Sequence, residues 1–269
     1  MFHIRKAVVT GGSSGIGKAL VDTLLREGCE VFSLSRTIRS RDFFVQMGEL
    51  HQIACDITDG RAVENAFSQI AEQTDFFDVL FSNAGYGISG SVVDTPKEQI
   101  ARQFDVNVFA AVEVIQQSIP FLARGKGRIV LTSSVAAVVS LPYQSFYSAT
   151  KASLNMLALA LNTELKPYGI RAVAIMPGDA ATSFTENREK IACEAPLLTD
   201  RCQRSVARME HDERTGVSPA LIAERFVRIA KKNAPKPLYG IGLFYRLVLL
   251  LFKILPVRFA NWVVGRMYG

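Results

Sequence analysis

A glycine-rich turn, Thr10-Gly-Gly-Ser-Ser-Gly-Ile-Gly17, joins a short β-prone run at residues 7–10 to a stretch with Leu20, Leu24 and Leu25 at helical spacing. Between a strand and a helix such a turn has a physical meaning. Glycines let the backbone approach a pyrophosphate closely, and the helix N-terminus supplies oriented N–H groups and positive potential. Gly11, Gly15 and Gly17 give the spacing GxxxGxG, with Ser13, Ser14 and Ile16 in the same phosphate-facing turn. The Gly-Lys-Ser/Thr ending of a nucleoside triphosphatase loop is missing, which argues against that class.

The alternation continues along the chain. Strands are predicted at residues 30–34, 50–55, 78–81, 127–131 and 170–176, and helices at 17–26, 59–73, 97–122 and 144–166. Strands separated by helices of this length need crossover connections, so the predicted fold is α/β: a single doubly wound Rossmann-type domain whose parallel sheet is flanked by helices. It is expected to occupy residues 1–236. Residues 182–217 are polar and poor in periodicity and follow a strand's C-terminal end, where ligands sit in open α/β sheets; a substrate lid is expected there.

At the end of the second strand, a dinucleotide fold places the group that reads the adenosine ribose. Here the strand ends Ser33-Leu-Ser-Arg36, without a carboxylate. Arg36 suits bidentate pairing with a 2′-phosphate, and Ser14 and Ser35 add hydroxyl donors, which favours NADP(H) over NAD(H). Tyr147 and Lys151 stand four apart at the start of a helix and share one face. A lysine ammonium one turn away, with a positively charged nicotinamide, is expected to favour the phenolate, so that Tyr147 exchanges a proton with a carbonyl or alcohol oxygen. Ser134, at the end of the fifth strand, is placed to hydrogen-bond the same oxygen. Cys29, Cys55, Cys193 and Cys202 show no CxxC spacing, and His3, His51 and His211 lie far apart, so no metal site is expected.

Taken together these motifs resemble the short-chain dehydrogenase/reductase superfamily, over residues 4 to about 182. The set comprises the 10–17 turn, Asp56 after the third strand, Asn83-Ala-Gly85 after the fourth, Asn107, Ser134, Tyr147-Ser-Ala-Thr-Lys151, and Pro177-Gly178 followed by Thr182. The resemblance implies that Asn107 distorts its helix and holds a water in a proton relay with Lys151, which also binds the nicotinamide ribose. It further implies that Asp56 and Ile57 contact the adenine, that Asn83, Ala84 and Gly85 line the cofactor, and that Pro177, Gly178 and Thr182 reach the nicotinamide side. Asp179-Ala-Ala follows Gly178 where relatives carry bulkier apolar residues, a departure from the pattern. Oligomers built through the helices at 97–122 and 144–166 are also implied. Ser35-Arg36 and Asn83-Ala-Gly-Tyr-Gly87 look most like the hydroxysteroid and retinol dehydrogenase branches, whose substrates are bulky and apolar. The expected activity is therefore interconversion of a lipophilic ketone or aldehyde with its alcohol. The competing reading is a non-catalytic dinucleotide sensor, although such modules tend to lose the tyrosine or lysine kept here. An epimerase or dehydratase of the extended branch would carry TGxxGxxG and a longer substrate domain.

Charge is unevenly spread. Residues 225–269 hold nine basic and no acidic side chains, contributing +9 to a formal net charge of +6 and leaving the remainder at −3. No nucleic-acid module accompanies that basicity. Within the C-terminal extension, 237–269, an apolar stretch from Ile241 to Leu255 is interrupted by Arg246 and Lys253 and is too short to span a bilayer. Residues 241–268 are expected to pack over the substrate cleft or a second subunit, or to lie in an anionic membrane interface. A start that runs straight into the first strand, without a signal-like apolar segment, points to the cytoplasm, with the 241–268 stretch as the possible peripheral membrane contact.

Overall fold

The computed structural model describes residues 1–38 and 47–268; Gly269, the last residue of the extension, lies outside them. Its elements in chain order are β1 (Lys6–Thr10), α1 (Gly15–Arg26), β2 (Glu30–Ser35), β3 (Leu50–Ala54), α2 (Gly60–Gln73), β4 (Val79–Ser82), β5 (Ile88–Ser89), α3 (Lys97–Phe104), α4 (Ala110–Gly125), β6 (Arg128–Thr132), α5 (Ser145–Glu164), β7 (Arg171–Met176), β8 (Glu189–Lys190), α6 (Thr199–Arg214), α7 (Pro219–Ala230), β9 (Leu238–Gly240), α8 (Leu243–Ile254) and α9 (Val257–Tyr268).

Seven strands form one sheet in the order β3-β2-β1-β4-β6-β7-β9. Each pairing is parallel, for example Val8 beside both Phe32 and Leu80. Chain order reverses at β1, the switch point at which ligands bind outside the strands' carboxyl ends. The pleat sends alternate side chains to opposite faces. Val8, Phe32, Leu80, Ile129 and Leu131 pack with Phe67, Val114 and Leu154 from α2, α4 and α5. Val9, Val31, Phe81, Val130 and Ile175 pack with Leu20, Leu24, Ile222 and Phe226 from α1 and α7. The doubly wound prediction is met by this two-sided core.

The details depart from the sequence reading in informative ways. The helix expected at 97–122 widens at Asp105–Phe109 into a π turn that contains Asn107, the distortion the family resemblance implies, while its residue range is split into α3 and α4. Taken as a whole, Lys97–Gly125 is long and apolar enough to cross a membrane by length and composition, but Val114, Ile115 and Leu122 pack it into the core. The 182–217 segment, expected to be irregular, contains α6 and the short strand β8, which pairs with β5 outside the main sheet. The helix was hard to see because much of its length is charged, with buried Cys202, Ser205 and Met209 its main inward side chains. A disulfide joins Cys193 to Cys202 at the base of that helix, a pairing the sequence spacing did not indicate. Finally, β9 lies just past the 236/237 boundary and pairs with β7, so the sheet reaches into the extension and α8 and α9 form its remainder.

Candidate active site

A single cleft of about 1140 Å³ runs across the carboxyl ends of β1, β2, β4, β6 and β7 to α8 and α9. On its wall lie Gly11, Ser13, Ser14, Gly15, Ile16, Arg36, Asp56, Ile57, Asn83, Ala84, Gly85, Ser134, Tyr147, Lys151, Pro177, Gly178 and Thr182. Two sequence-predicted residues, Gly17 and Asn107, are not on it and sit one layer behind.

The cleft end at the 10–17 turn is built on backbone. Gly15 opens α1 with φ +52°, a conformation that favours glycine. Ser14 at the N-cap makes no side-chain capping bond, which leaves first-turn N–H groups available to a ligand. A side chain on Gly17 would collide with the Gly11 carbonyl and the Asn83 amide, so this glycine lets the helix close onto the turn. Thr10 ties β1 to β4: its hydroxyl accepts from the backbone N–H groups of Asn83 (2.9 Å) and Ala84 (3.0 Å). Asn83 in turn donates to the Thr10 carbonyl (3.2 Å) and accepts from the Thr132 hydroxyl (3.2 Å).

Past the end of β2, Arg36 is exposed and forms no ion pair among the described residues. Asp56 is turned into its own loop, accepting from Thr58 N (3.0 Å) and Oγ1 (2.8 Å). Burial pushes the Asp56 carboxyl up, but the Thr58 hydrogen bonds, with Arg36 and Arg102 nearby, hold it below the usual carboxylate range. Arg102, which the sequence reading missed, also lines the cleft and lies over the Tyr86 ring.

At the other end Ser134 lies within hydrogen-bonding reach of Tyr147. Burial pushes the Tyr147 phenol up to about 12, against a lowering by Ser134. Lys151 donates to the Thr132 carbonyl (2.8 Å), and its Nζ stands 5.5 Å from the Tyr147 ring centroid. Burial brings the lysine down to about 8. Desolvation thus raises the tyrosine, while the sequence-based expectation concerns the phenol beside a positively charged nicotinamide. Asn107 is fully engaged: it donates to the Tyr86 carbonyl (2.9 Å) and Thr150 Oγ1 (3.1 Å), and accepts from Tyr86 N (3.0 Å). It clamps the 85–86 segment against α5 from behind.

Several lining groups were invisible to motif reading because loops and the C-terminal helices bring them in. Phe184 packs on Tyr147, with ring centroids 5.4 Å apart. Behind it, Arg188 pairs with Glu213 of α6, which also accepts from the Thr185 hydroxyl at 2.6 Å. The unusual Asp179 has a partner in α8. Tyr245 donates to its carboxylate (2.6 Å), accepts from its backbone N–H (3.0 Å), and lays its ring against Gly178.

Residues 5–191 match the family model for short chain dehydrogenases. The chain belongs to this family of oxidoreductases, whose cofactor is a nicotinamide dinucleotide. It is 35% identical over 256 residues, covering 93% of both chains, to a probable short-chain type dehydrogenase/reductase, VdlC, of Helicobacter pylori. It is 32% identical over 85% of its length, and 84% of the relative's, to a 3-ketodihydrosphingosine reductase of Bacteroides thetaiotaomicron. An NADPH-dependent 3-dehydrocapnine reductase of Ornithobacterium rhinotracheale is 35% identical over 67% of each chain. Among solved structures, a short-chain dehydrogenase from Streptomyces avermitilis superposes with a TM-score of 0.83 at 23% identity, covering 94% of this chain and 93% of that one.

Proposed function

We propose that the protein is an NADPH-dependent reductase of a lipophilic ketone or aldehyde, able to run the reverse oxidation of the alcohol. The observation that carries this reading is the juxtaposition of Ser134, Tyr147 and Lys151 with a large apolar wall supplied by α8 and α9 in one cleft. The uncapped start of α1, the Gly15 turn and Arg36, without an ion pair among the described residues, fit a dinucleotide with a 2′-phosphate. Relatives named as reductases of a ketosphingoid and of dehydrocapnine support an apolar substrate.

When bound, the reduced nicotinamide supplies the hydride. The chain does the rest. Ser134 Oγ and Tyr147 Oη hold the substrate oxygen, and Tyr147, protonated at neutral pH, donates its proton to that oxygen. Lys151 holds the ribose side and returns a proton toward Tyr147, while Asn107 acts as a positioning residue through Tyr86 and Thr150. Phe184 and Tyr245 exclude water from the reacting end. Exposed Phe109 beside α4, and Met156 and Leu159 on α5, support self-association through those helices.

The test is oxidation of NADPH and NADH across ketones spanning steroids, retinal, long-chain 3-keto lipids and small polar carbonyls. Turnover of a bulky apolar ketone with NADPH supports the proposal. NADPH binding without turnover of any of them favours the sensor reading. Arg36→Asp should weaken NADPH binding by about 10- to 100-fold and shift preference toward NADH, the scale of a lost charge-assisted contact. An unchanged preference would place 2′-phosphate recognition elsewhere, with Arg102 the next candidate.

The Lys151 value gives a pH dependence. Its pKa is lowered to about 8, so the ammonium is present below that pH and is lost as pH rises through it. The kcat/KM for NADPH, which reports free-enzyme groups, should be flat from acid to neutral pH and fall about tenfold per unit above pH 8. A profile flat to pH 10 would separate the rate from the lysine's charge.

A further inference from the structure

We infer that α8 and α9 form a docking surface for an anionic lipid bilayer, with the catalytic cleft opening against the lipid. α8 is apolar on two opposite sides. Val248 and Phe252, with Leu255 just past the helix end, line the cleft on the inner side. Leu243, Leu247, Leu250 and Ile254, at spacings of four, three and four, form an outer stripe, each more than half exposed. Nearly half of the exposed large apolar side chains among the described residues fall between Leu243 and Met267. Such a stripe on an otherwise ordinary surface calls for a covering partner.

The charges choose the partner. Arg246, Lys253, Arg258 and Arg266 are all exposed, and none has an acidic partner among the described residues. No acidic residue occurs anywhere from 225 to 269. A twofold contact between two copies of this face would set these cations against one another, whereas an anionic headgroup layer complements them. Trp262 on α9 is exposed beside Arg266, 5.8 Å from its ring centroid, a pairing suited to the headgroup level. Twelve residues of helix extend roughly 18 Å, short of the ~30 Å hydrocarbon core, so the helices lie on the bilayer and do not cross it.

The same surface reaches the site. Phe244, Leu251, Phe259 and Met267 are exposed and also belong to the cleft wall. An apolar molecule leaving the bilayer therefore meets a continuous apolar path toward Tyr147. This last step rests on the apolar-substrate reading; the docking surface itself does not.

The test is sedimentation of the full chain with phosphatidylcholine vesicles, with and without phosphatidylserine. The expected result is binding to the serine-lipid vesicles, falling as salt is raised. Arg246→Glu with Lys253→Glu should weaken it more than tenfold, as should Leu247→Glu with Ile254→Glu. Both variants should retain NADPH binding and reduction of a micelle-dispersed ketone, because neither pair lines the cleft. A wild-type chain that stays in the supernatant with both vesicles at low salt overturns the proposal. So does a dimer that Leu247→Glu converts to monomer, which would assign the face to a second copy. Ketone reduction without vesicle binding would overturn the docking surface alone. Vesicle binding without reduction of any ketone would strike the enzymatic reading and leave the surface standing.

Discussion

Replacing Tyr147 with Phe is expected to lower turnover about 10³-fold, the middle of the range for a positioned acid or base, while NADPH affinity stays within about threefold. The asymmetry follows from where the hydroxyl sits. It lies within reach of Ser134, whereas in the proposed function the phosphate and adenine ends of the dinucleotide fall to the 10–17 turn, Asn83 and Arg36, elsewhere on the cleft wall. The ring itself packs on Phe184, and phenylalanine preserves that contact. Kinetics with a responsive ketone, together with quenching of protein fluorescence by NADPH, reads both halves. Retained turnover would remove the tyrosine from the proton path; lost NADPH binding would show the hydroxyl to be structural.

Glu213→Gln should produce the largest loss of stability. Arg188 has a fully buried side chain, and its ion pair with Glu213 is the charge that compensates it. Removing one partner of a buried pair costs about 3–5 kcal/mol, because the other is left uncompensated. For a chain of this size that lowers Tm by roughly 6–15 °C. The double variant Arg188→Met with Glu213→Gln should recover much of the loss, since no orphaned charge remains. A shift below about 2 °C in the single variant would mean that water reaches the guanidinium. Turnover should fall further than stability alone dictates, because Arg188 supports Phe184, which supports Tyr147.

What was legible in the sequence, and what was not, divides along a physical line. The glycine turn, the strand-end Asn83 and Ser134, and the Tyr147/Lys151 pair are local: each is set by a few consecutive residues on a regular element. The alternation of strands and helices likewise gave the parallel sheet, because period and length are local signals. Phe184, Arg188, Glu213 and Tyr245 were missed because their meeting depends on the path of the 182–217 segment and of the C-terminal helices. α6 escaped notice because its few buried side chains include Cys202, Ser205 and Glu210 rather than a leucine stripe. Asp179 was visible as a departure from the family pattern, but its explanation lies 66 residues away in Tyr245. Burial, which raises the Tyr147 phenol, was not legible either, because neighbours can be counted in a sequence and desolvation cannot.

The two tyrosines of the C-terminal helices have a thermodynamic consequence. Tyr245 fastens α8 to Asp179, and Tyr268 of α9 donates to Asp212 of α6 at 3.1 Å. Thr182, three residues beyond Asp179, lies over Gly15 at the phosphate turn. The 10–17 turn, α6 and the α8–α9 pair are thus fastened in series, and a displacement of one loads the others. Where two ligands bias one such chain of contacts, each must change the other's affinity by the same factor. Under the proposed function, whatever tightening the dinucleotide imparts to the grip of α8 and α9 on an apolar substrate, that substrate must return to the dinucleotide in full.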